Sequence, residues 1–375
     1  MKKVLLTASV QSHISQFHKP LINMLKENGY EVHVAAKDNL AEKNGLKLDE
    51  PDKIFNIPFD RSPLSKNNLI AHQELKKILS KTKYDVVHCN TPMGGVVTRL
   101  AANKYRKSGT KVFYTAHGFH FYKGAPKKNW IIYYPIEKFL SRYTDKLITI
   151  TKEDYNLSTK KFSTNVVYTH GVGANSDKYC ILSNEEKLLL QKEHGYSKDQ
   201  FNILCIGELN DNKNQKTVIR SFFEVTKKIP TARLLLAGNG PMENYLKKLV
   251  YELGIESKVH FLGHRTDLER YLCACDLVVS ASIREGLPLN IMESILCGKP
   301  VIVSNNRGHR ELINNNINGL INEAYDVEGF SKSIIRLFKN SDLRRDLVTN
   351  ALSSIEKFTY ESVVEELSKI YEINM

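Results

Sequence analysis

Two doubly wound α/β domains in tandem are the fold that this 375-residue chain predicts. Three observations carry that prediction. The length exceeds what one ordinary core serves and suits two domains, each able to bury a sizeable interior. Short β-branched runs alternate with longer segments of helical period, the pattern of βα units feeding a parallel sheet. The alternation breaks once, between Gly171 and Leu190, where glycines, Asn and Asp precede a charged helix, and then resumes. Domains over 1–175 and 176–357 follow, with a last helix over 358–375 that has no strand partner and is expected to pack across the domain interface.

The chain opens Met-Lys-Lys and enters KVLLTAS, an apolar run too short for a secretory leader and therefore read as the first strand. EVHVAAK, KIFNIPF, DVVHCN, KVFYTAHG, KLITIT and VVYTHG are the other strands of the first half. Between the first two, ISQFHKPLINMLKENG has apolar residues at helical spacing and stops at Gly29, a suitable C-terminal breaker. NILCIG, ARLLLAG, VHFLG, LVVSAS, PVIVSN and GLIN are the strands of the second half. Ligands of such sheets sit beyond the carboxyl ends of the strands, so a central cleft between the two halves is the expected site. No repeat at a period of roughly 20 to 50 residues interrupts this plan.

Composition narrows the function classes. No segment approaches the roughly 18 to 20 apolar residues that span a bilayer. The six cysteines lie mostly in apolar runs and form no C-x-x-C pair, which reads as core thiols of a reducing compartment with no metal site. The net charge of +13 is uneven: through Lys178 the chain has 29 Lys and Arg against 15 Asp and Glu, and the remainder has 25 against 26. A basic half joined to a neutral half points to an anionic partner for one domain, or to a lysine-rich solvated surface. From Phe119 to Lys146, Phe119, Phe121, Tyr122, Trp130, Tyr133, Tyr134, Phe139 and Tyr143 are interspersed with Lys123, Lys127, Lys128, Lys138, Arg142 and Lys146. That mixture suits a bilayer interface, and it equally suits a helix that sends half its rings into the core.

The sharpest local signal is Glu285-Gly286-Leu287-Pro288-Leu289-Asn290-Ile291-Met292-Glu293, placed between the strand LVVSAS and a helix ending at Gly298. Pro288 suits the first helical turn. Amides of Gly286, Leu287 and Leu289 at a helix start make a place for a diphosphate. Two carboxylates beside an anion then suit sugar hydroxyls, with Glu285 on the transferred sugar and Glu293 on the ribose. Read in isolation, the same pair fits a helix cap and a solvated helical residue.

The neighbourhood decides. Arg284, the E-x7-E pair, Gly298-Lys299-Pro300-Val301, Arg307-Gly308 and Arg310-Glu311-Leu312-Ile313 resemble the family 4 glycosyltransferases of the GT-B fold. Gly207-Glu208-Leu209 with Lys213-Asn214, Gly238-Asn239-Gly240-Pro241 and Phe261-Leu262-Gly263-His264-Arg265 extend the likeness. Thr91-Pro92-Met93-Gly94-Gly95 and Thr115-Ala116-His117-Gly118-Phe119-His120-Phe121-Tyr122 look like its bacterial capsular and exopolysaccharide branch.

The resemblance implies two Rossmann-like domains, an N-terminal one for the acceptor and a C-terminal one for a nucleotide-sugar donor, expected to be a UDP-sugar. It implies that Lys213 contacts the leaving diphosphate in place of a metal, and the chain contains no Asp-x-Asp triplet. His117, at a strand end, matches the histidine that contacts the transferred sugar. Ser12 and His13, read as a loop after the first strand, match the acceptor loop. Gly207, Asn210 and Arg265 fall in the donor-binding loops. Glu208 departs from the family, which commonly has an arginine there. Either Lys213 and helix-start amides hold the diphosphate, with Asn210 or Asn212 assisting, or Glu208 points elsewhere and positions Lys213.

The expected function is therefore retaining transfer of a hexose or N-acetylhexosamine to a polyprenyl-diphosphate-linked saccharide, without metal, by a cytoplasmic protein held peripherally on the inner face of an anionic membrane. A UDP-sugar epimerase of the same fold is the alternative enzyme. A nucleic-acid-binding protein is the alternative that charge alone allows, but no recognition helix or stacking sheet is visible, so no nucleic acid is expected.

Overall fold

A computed structural model of the protein describes residues 1–42 and 45–373. The chain forms two compact units, Met1–Val172 together with the segment from Tyr360 onward, and Gly173–Thr359.

In the first unit seven parallel strands, β1 (Lys2–Val10), β2 (Tyr30–Lys37), β3 (Lys53–Asn56), β4 (Val86–Asn90), β5 (Lys111–Ala116), β6 (Lys146–Thr149) and β7 (Asn165–Tyr168), stand in the order β3-β2-β1-β4-β5-β6-β7. In the second, β8 (Phe201–Ile206), β9 (Ala232–Ala237), β10 (Val259–Gly263), β11 (Leu277–Ser280), β12 (Val301–Ser304) and β13 (Leu320–Asn322) stand in the order β10-β9-β8-β11-β12-β13. Each sheet reverses strand order beside its first strand, and each of the runs read as strands from sequence supplies one. Their apolar residues are continuous because helices cover both faces of a parallel sheet. Val4 at the centre of β1 is flanked by Val32 and Val86 and has no exposed surface.

Proline accounts for two departures from the expected elements. The segment after β1 is two helices, Gln11–Phe17 and Lys19–Glu27, with His18 between them off the helical region. Pro20 has no N–H to continue the ladder of the first helix, and the chain restarts with proline in its first turn. Ser12 and His13 lie on the first of these helices, where a loop was expected. Pro58 likewise ends the run KIFNIPF early, leaving β3 as a short edge strand.

The last helix, Tyr360–Tyr371, is part of the first unit. Val363, Leu367, Ile370 and Tyr371 enter the same core as Leu21, Ile22 and Leu25 of the helix Lys19–Glu27. Each such side chain, buried, contributes roughly 1.5 to 3 kcal/mol. The Tyr371 hydroxyl meets buried His88 Nδ1 at 2.7 Å, and Lys146 Nζ donates to the Ile370 carbonyl at 2.6 Å.

The aromatic and basic segment divides. Phe119 and Phe121 are core residues stacked 4.7 Å apart, and Trp130, Tyr133 and Tyr134 pack onto them. Phe119 and Phe121 are not available to a bilayer, because the helix Lys127–Leu140 packs its half-buried rings against them. Its other side exposes Ile131, Ile132, Ile136 and Phe139. Beneath it Arg99, 1% exposed, donates to Glu137 Oε2 at 2.8 Å and lies 4.0 Å from the Tyr114 ring centroid. Among the described residues no helix is long and apolar enough to cross a membrane. All six cysteines are free thiols, and Cys180 alone among them is exposed.

Candidate active site

In the second unit the loop after β8 carries Gly207 to Lys213. Gly207 (φ +149°) and Gly238 (φ +143°) occupy backbone regions that favour glycine. A Cβ on Gly238 would fall 2.1 Å from the Gly207 carbonyl, and one on Gly207 would press 3.1 Å from the Lys213 stem. The lysine thus lies across a bare backbone, and its Nζ reaches Glu285 Oε1 at 2.7 Å. The pair is partly desolvated, with 23% and 13% of the two side chains exposed. Such a pair is worth more than a freely solvated one.

Neighbouring polar groups fix this arrangement. Asn214, in the left-handed region at φ 54°, donates to the Ala281 and Ala324 carbonyls. Asn212 donates to the Arg284 carbonyl at 3.0 Å, and Ile283 N–H donates back to Asn212 at 2.7 Å. The loop after β8 is thereby sewn to the loop after β11. On its other side Gly308 abuts the same loop, where a Cβ would fall 2.4 Å from the Gly286 carbonyl.

Asn210 links Glu208 to Lys213. Asn210 Oδ1 accepts from the Lys213 N–H at 2.9 Å, and Asn210 Nδ2 donates to Glu208 Oε2 at 3.0 Å. Glu208 is exposed, and the charge partner of Lys213 is Glu285. Arg265 is clamped by Asp267 at 2.8 and 2.6 Å beside the Tyr271 ring.

The helix after Glu285 runs Leu289–Leu296, and Pro288 is its extended N-cap residue, one position before the first turn. Among the described residues, the N–H groups of Gly286 and Leu287 meet no hydrogen-bond acceptor. Leu287 and Leu289 are half-buried against the core. Glu293 is buried on the following turn, and burial pushes its carboxyl up to about 7, with the Tyr179 phenol and Lys178 opposing. It is not the solvated residue that an isolated pattern allows.

Sequence reasoning missed His309. It is fully buried, with Nδ1 facing the Ser304 carbonyl at 2.8 Å and Nε2 unpartnered, and burial pushes it down to about 4. The fields of Glu285 and Lys213 both reach it. Its signal was available in Arg307-Gly308-His309-Arg310-Glu311, in the one position that the motif reading passed over.

In the first unit His117 follows β5, and its Nε2 lies 3.1 Å from Oδ1 of buried Asn90. Thr91, at the next position, holds a positive φ of 64°, and its hydroxyl oxygen accepts from Ser9 N–H at 3.0 Å. His13 meets His117 edge to face with ring centroids 4.8 Å apart. Burial and the neighbouring imidazole hold His13 well below the usual range, and burial holds His117 at about 4. Both rings are neutral hydrogen-bonding groups at physiological pH. Ser12 is buried, its Oγ accepting from Asn39 Nδ2 at 2.9 Å.

The comparisons with known proteins agree with one another. Residues 3–151 match the family described as glycosyl transferase 4-like, and residues 186–353 match glycosyl transferases group 1. The chain is 41% identical to EpsD of Bacillus subtilis (strain 168), named as a glycosyltransferase, over 100% of this chain and 97% of that one. It is 29% identical to the UDP-Gal:alpha-D-GlcNAc-diphosphoundecaprenol alpha-1,3-galactosyltransferase of Escherichia coli, over 70% and 68% of the two chains. In fold it resembles Anabaena HepE, solved in complex with UDP and glucose, at a TM-score of 0.77 and 20% identity, covering 99% of this chain and 100% of the other.

Proposed function

We propose that this chain, which belongs to the glycosyltransferases with a 4-like and a group 1 half, moves a hexose or N-acetylhexosamine from a UDP-sugar to a polyprenyl-diphosphate-linked saccharide, with retention at the anomeric carbon. That it is a glycosyltransferase of the GT-B type is the premise. Donor, acceptor and stereochemistry are the proposal.

The observation that carries it is the ion pair of Lys213 and Glu285 beside the N–H groups of Gly286 and Leu287. A diphosphate received by those N–H groups at the start of Leu289–Leu296 attracts the Lys213 ammonium. Glu285 is then released to accept from hydroxyls of the transferred sugar. The lysine offsets the charge that grows on the leaving phosphate as the glycosidic bond breaks, a task that a divalent ion performs in other enzymes. No metal enters this step. Glu293 receives the ribose hydroxyls, and Gly207, Gly286, Leu287 and Leu289 give the donor its close approach to backbone. Asn210 acts by fixing the Lys213 backbone, and Arg265 borders the donor from the loop after β10.

His117 serves the transferred sugar and His13, with Ser12, the acceptor, all as neutral hydrogen-bonding groups. The Escherichia coli relative's name includes a UDP-sugar and a diphosphoundecaprenol-linked acceptor, which supports both choices and a place in cell-surface glycan synthesis such as capsule or exopolysaccharide. The exposed Ile131, Ile132, Ile136 and Phe139, with Lys127, Lys128 and Lys138 on the same helix, support peripheral docking on the anionic inner face of the cell membrane from the cytoplasm.

Thermal-shift measurements across UDP-, GDP- and ADP-sugars test the donor. Transfer to lipid-linked acceptors with and without chelator, and product NMR, test the rest. An inverted anomeric product, or transfer abolished by chelator, overturns the reading.

A further inference from the structure

His13, His18 and His117 converge in the first unit, with one ligating nitrogen from each lying within 4.8 Å of the others. Sequence reading singled out two of them. His18 joins them because the chain breaks there between two helices, which turns its ring inward until 5% of the residue is exposed. The three rings meet pairwise at centroid distances of 4.8, 5.3 and 5.4 Å.

We propose that these three imidazoles form a binding site for a borderline divalent transition-metal ion of the Zn²⁺ class, at which the ion inhibits the enzyme. Two observations point to a ligand. Nε2 of His13 and Nε2 of His18 are buried and have no hydrogen-bond partner, a state that costs each about 1 to 3 kcal/mol and that a metal relieves. The Asn90 amide oxygen at 3.1 Å can only accept, so His117 Nε2 bears its proton and Nδ1 presents the lone pair. An outer partner of this kind is what fixes the tautomer of a ligating histidine.

The donor set selects the ion. Three imidazoles without a carboxylate suit zinc, cobalt, nickel or copper, whereas magnesium and calcium require oxygen ligands. A tetrahedral ion with bonds of about 2.0 to 2.1 Å keeps its ligand nitrogens roughly 3.4 Å apart, so nitrogens within 4.8 Å of one another need to close by up to about 1.4 Å. Three protein ligands leave a fourth position open. Burial keeps the rings neutral and able to ligate at physiological pH. The charged and titratable groups facing them are Arg61, whose field reaches His13, and His88, itself held at about 3 by burial. Arg61 opposes a cation, and the open fourth position lets a bound hydroxide or anion offset it. Inhibition rests on the proposed function: an ion on His13 Nε2 and His117 Nδ1 occupies the His117 nitrogen that Asn90 leaves free and draws both rings away from the positions in which they meet sugars.

Titration of chelator-stripped full-length protein with Co²⁺ and Zn²⁺ tests the site independently of any transfer assay. The expected result is one ion per chain, a tetrahedral cobalt spectrum without a thiolate band, and no competition from excess Mg²⁺. His18→Gln and His13→Gln, each shown folded by circular dichroism, should weaken binding at least tenfold. X-ray absorption at the zinc edge of the unaltered protein should count three imidazoles, which keeps the test decisive if the variants do not fold. Transfer should fall on adding Zn²⁺ and recover with chelator. Unaltered affinity in both variants, an octahedral spectrum, or a thiolate band locating the ion at Cys273 and Cys297, whose sulfurs lie 3.9 Å apart, overturns the site. Tight binding to the three histidines with unaffected transfer overturns only the inhibition and the sugar contacts assigned to His13 and His117.

Discussion

Lys213 Nζ stands 2.7 Å from Glu285 Oε1, so two residues singled out for separate parts of the donor are each other's partner in the folded chain. The pair turns the two roles into one exchange: whatever draws the ammonium toward phosphate frees the carboxylate for hydroxyls.

Exchange predicts an asymmetry between the two truncations. Lys213→Ala should weaken UDP binding by about 10- to 150-fold, the range that a charged hydrogen bond of about 1.5 to 3 kcal/mol supports. Glu285→Gln should bind UDP at least as well as the parent, because its lysine is unpaired, and should lose most of its transfer rate. Calorimetry with UDP and initial-rate assays of both variants decide this. Equal loss of UDP affinity in the two variants contradicts it.

Glu293 predicts a pH dependence. Its carboxyl is pushed up to about 7 by burial, from an ordinary value of 4.5. Ribose hydroxyls donate to the ionised form, so UDP affinity should rise with pH through about 7 and binding near neutrality should release a proton. Calorimetry in buffers of different ionisation enthalpy measures that proton. The sign for stability is opposite: an acid whose folded pKa is raised costs stability as pH climbs from about 4.5 to 7, by an order of about 3 kcal/mol in full. Glu293→Gln should therefore gain on the parent over that window in chemical denaturation.

Arg99 and Glu137 predict a large structural penalty. Arg99 is 1% exposed and has Glu137, the Gly95 carbonyl and the Tyr114 ring as its surroundings. Removing one partner leaves a buried charge, which costs about 3 to 5 kcal/mol. Glu137→Gln should lose that much and Arg99→Met with Glu137→Leu considerably less, as read from urea unfolding followed by the fluorescence of Trp130, the chain's one tryptophan, which packs on the adjacent core cluster.

The helix Lys127–Leu140 predicts the docking behaviour. Charge reversal at Lys127 and Lys128 should weaken co-sedimentation with anionic vesicles by tenfold or more, at about 1 kcal/mol for each lysine lost. Ile131→Ser with Ile132→Ser should weaken it on neutral and anionic vesicles alike. Transfer to a water-soluble acceptor should persist in both. Loss of UDP binding in either variant places this helix in the donor machinery and removes the docking role.

The sequence by itself determined the strands, their parallel pairing into two sheets, and the placement of Glu285 and Glu293 around a helix start. Those features are local: strands buried on both faces read as unbroken apolar runs, and turn residues mark their ends. Tertiary structure alone decided the partners. Lys213 and Glu285 are 72 positions apart, and neither has a local signal for the other. His18 gained its place beside His13 and His117 from a proline break and a distant strand end. Phe119 and Phe121 turned to the core while four apolar residues nearby turned to solvent, though composition treats all six alike. Periodicity records which face of an element is buried, but a charge or a ring finds its partner only when loops from different strands arrive at the same sheet edge.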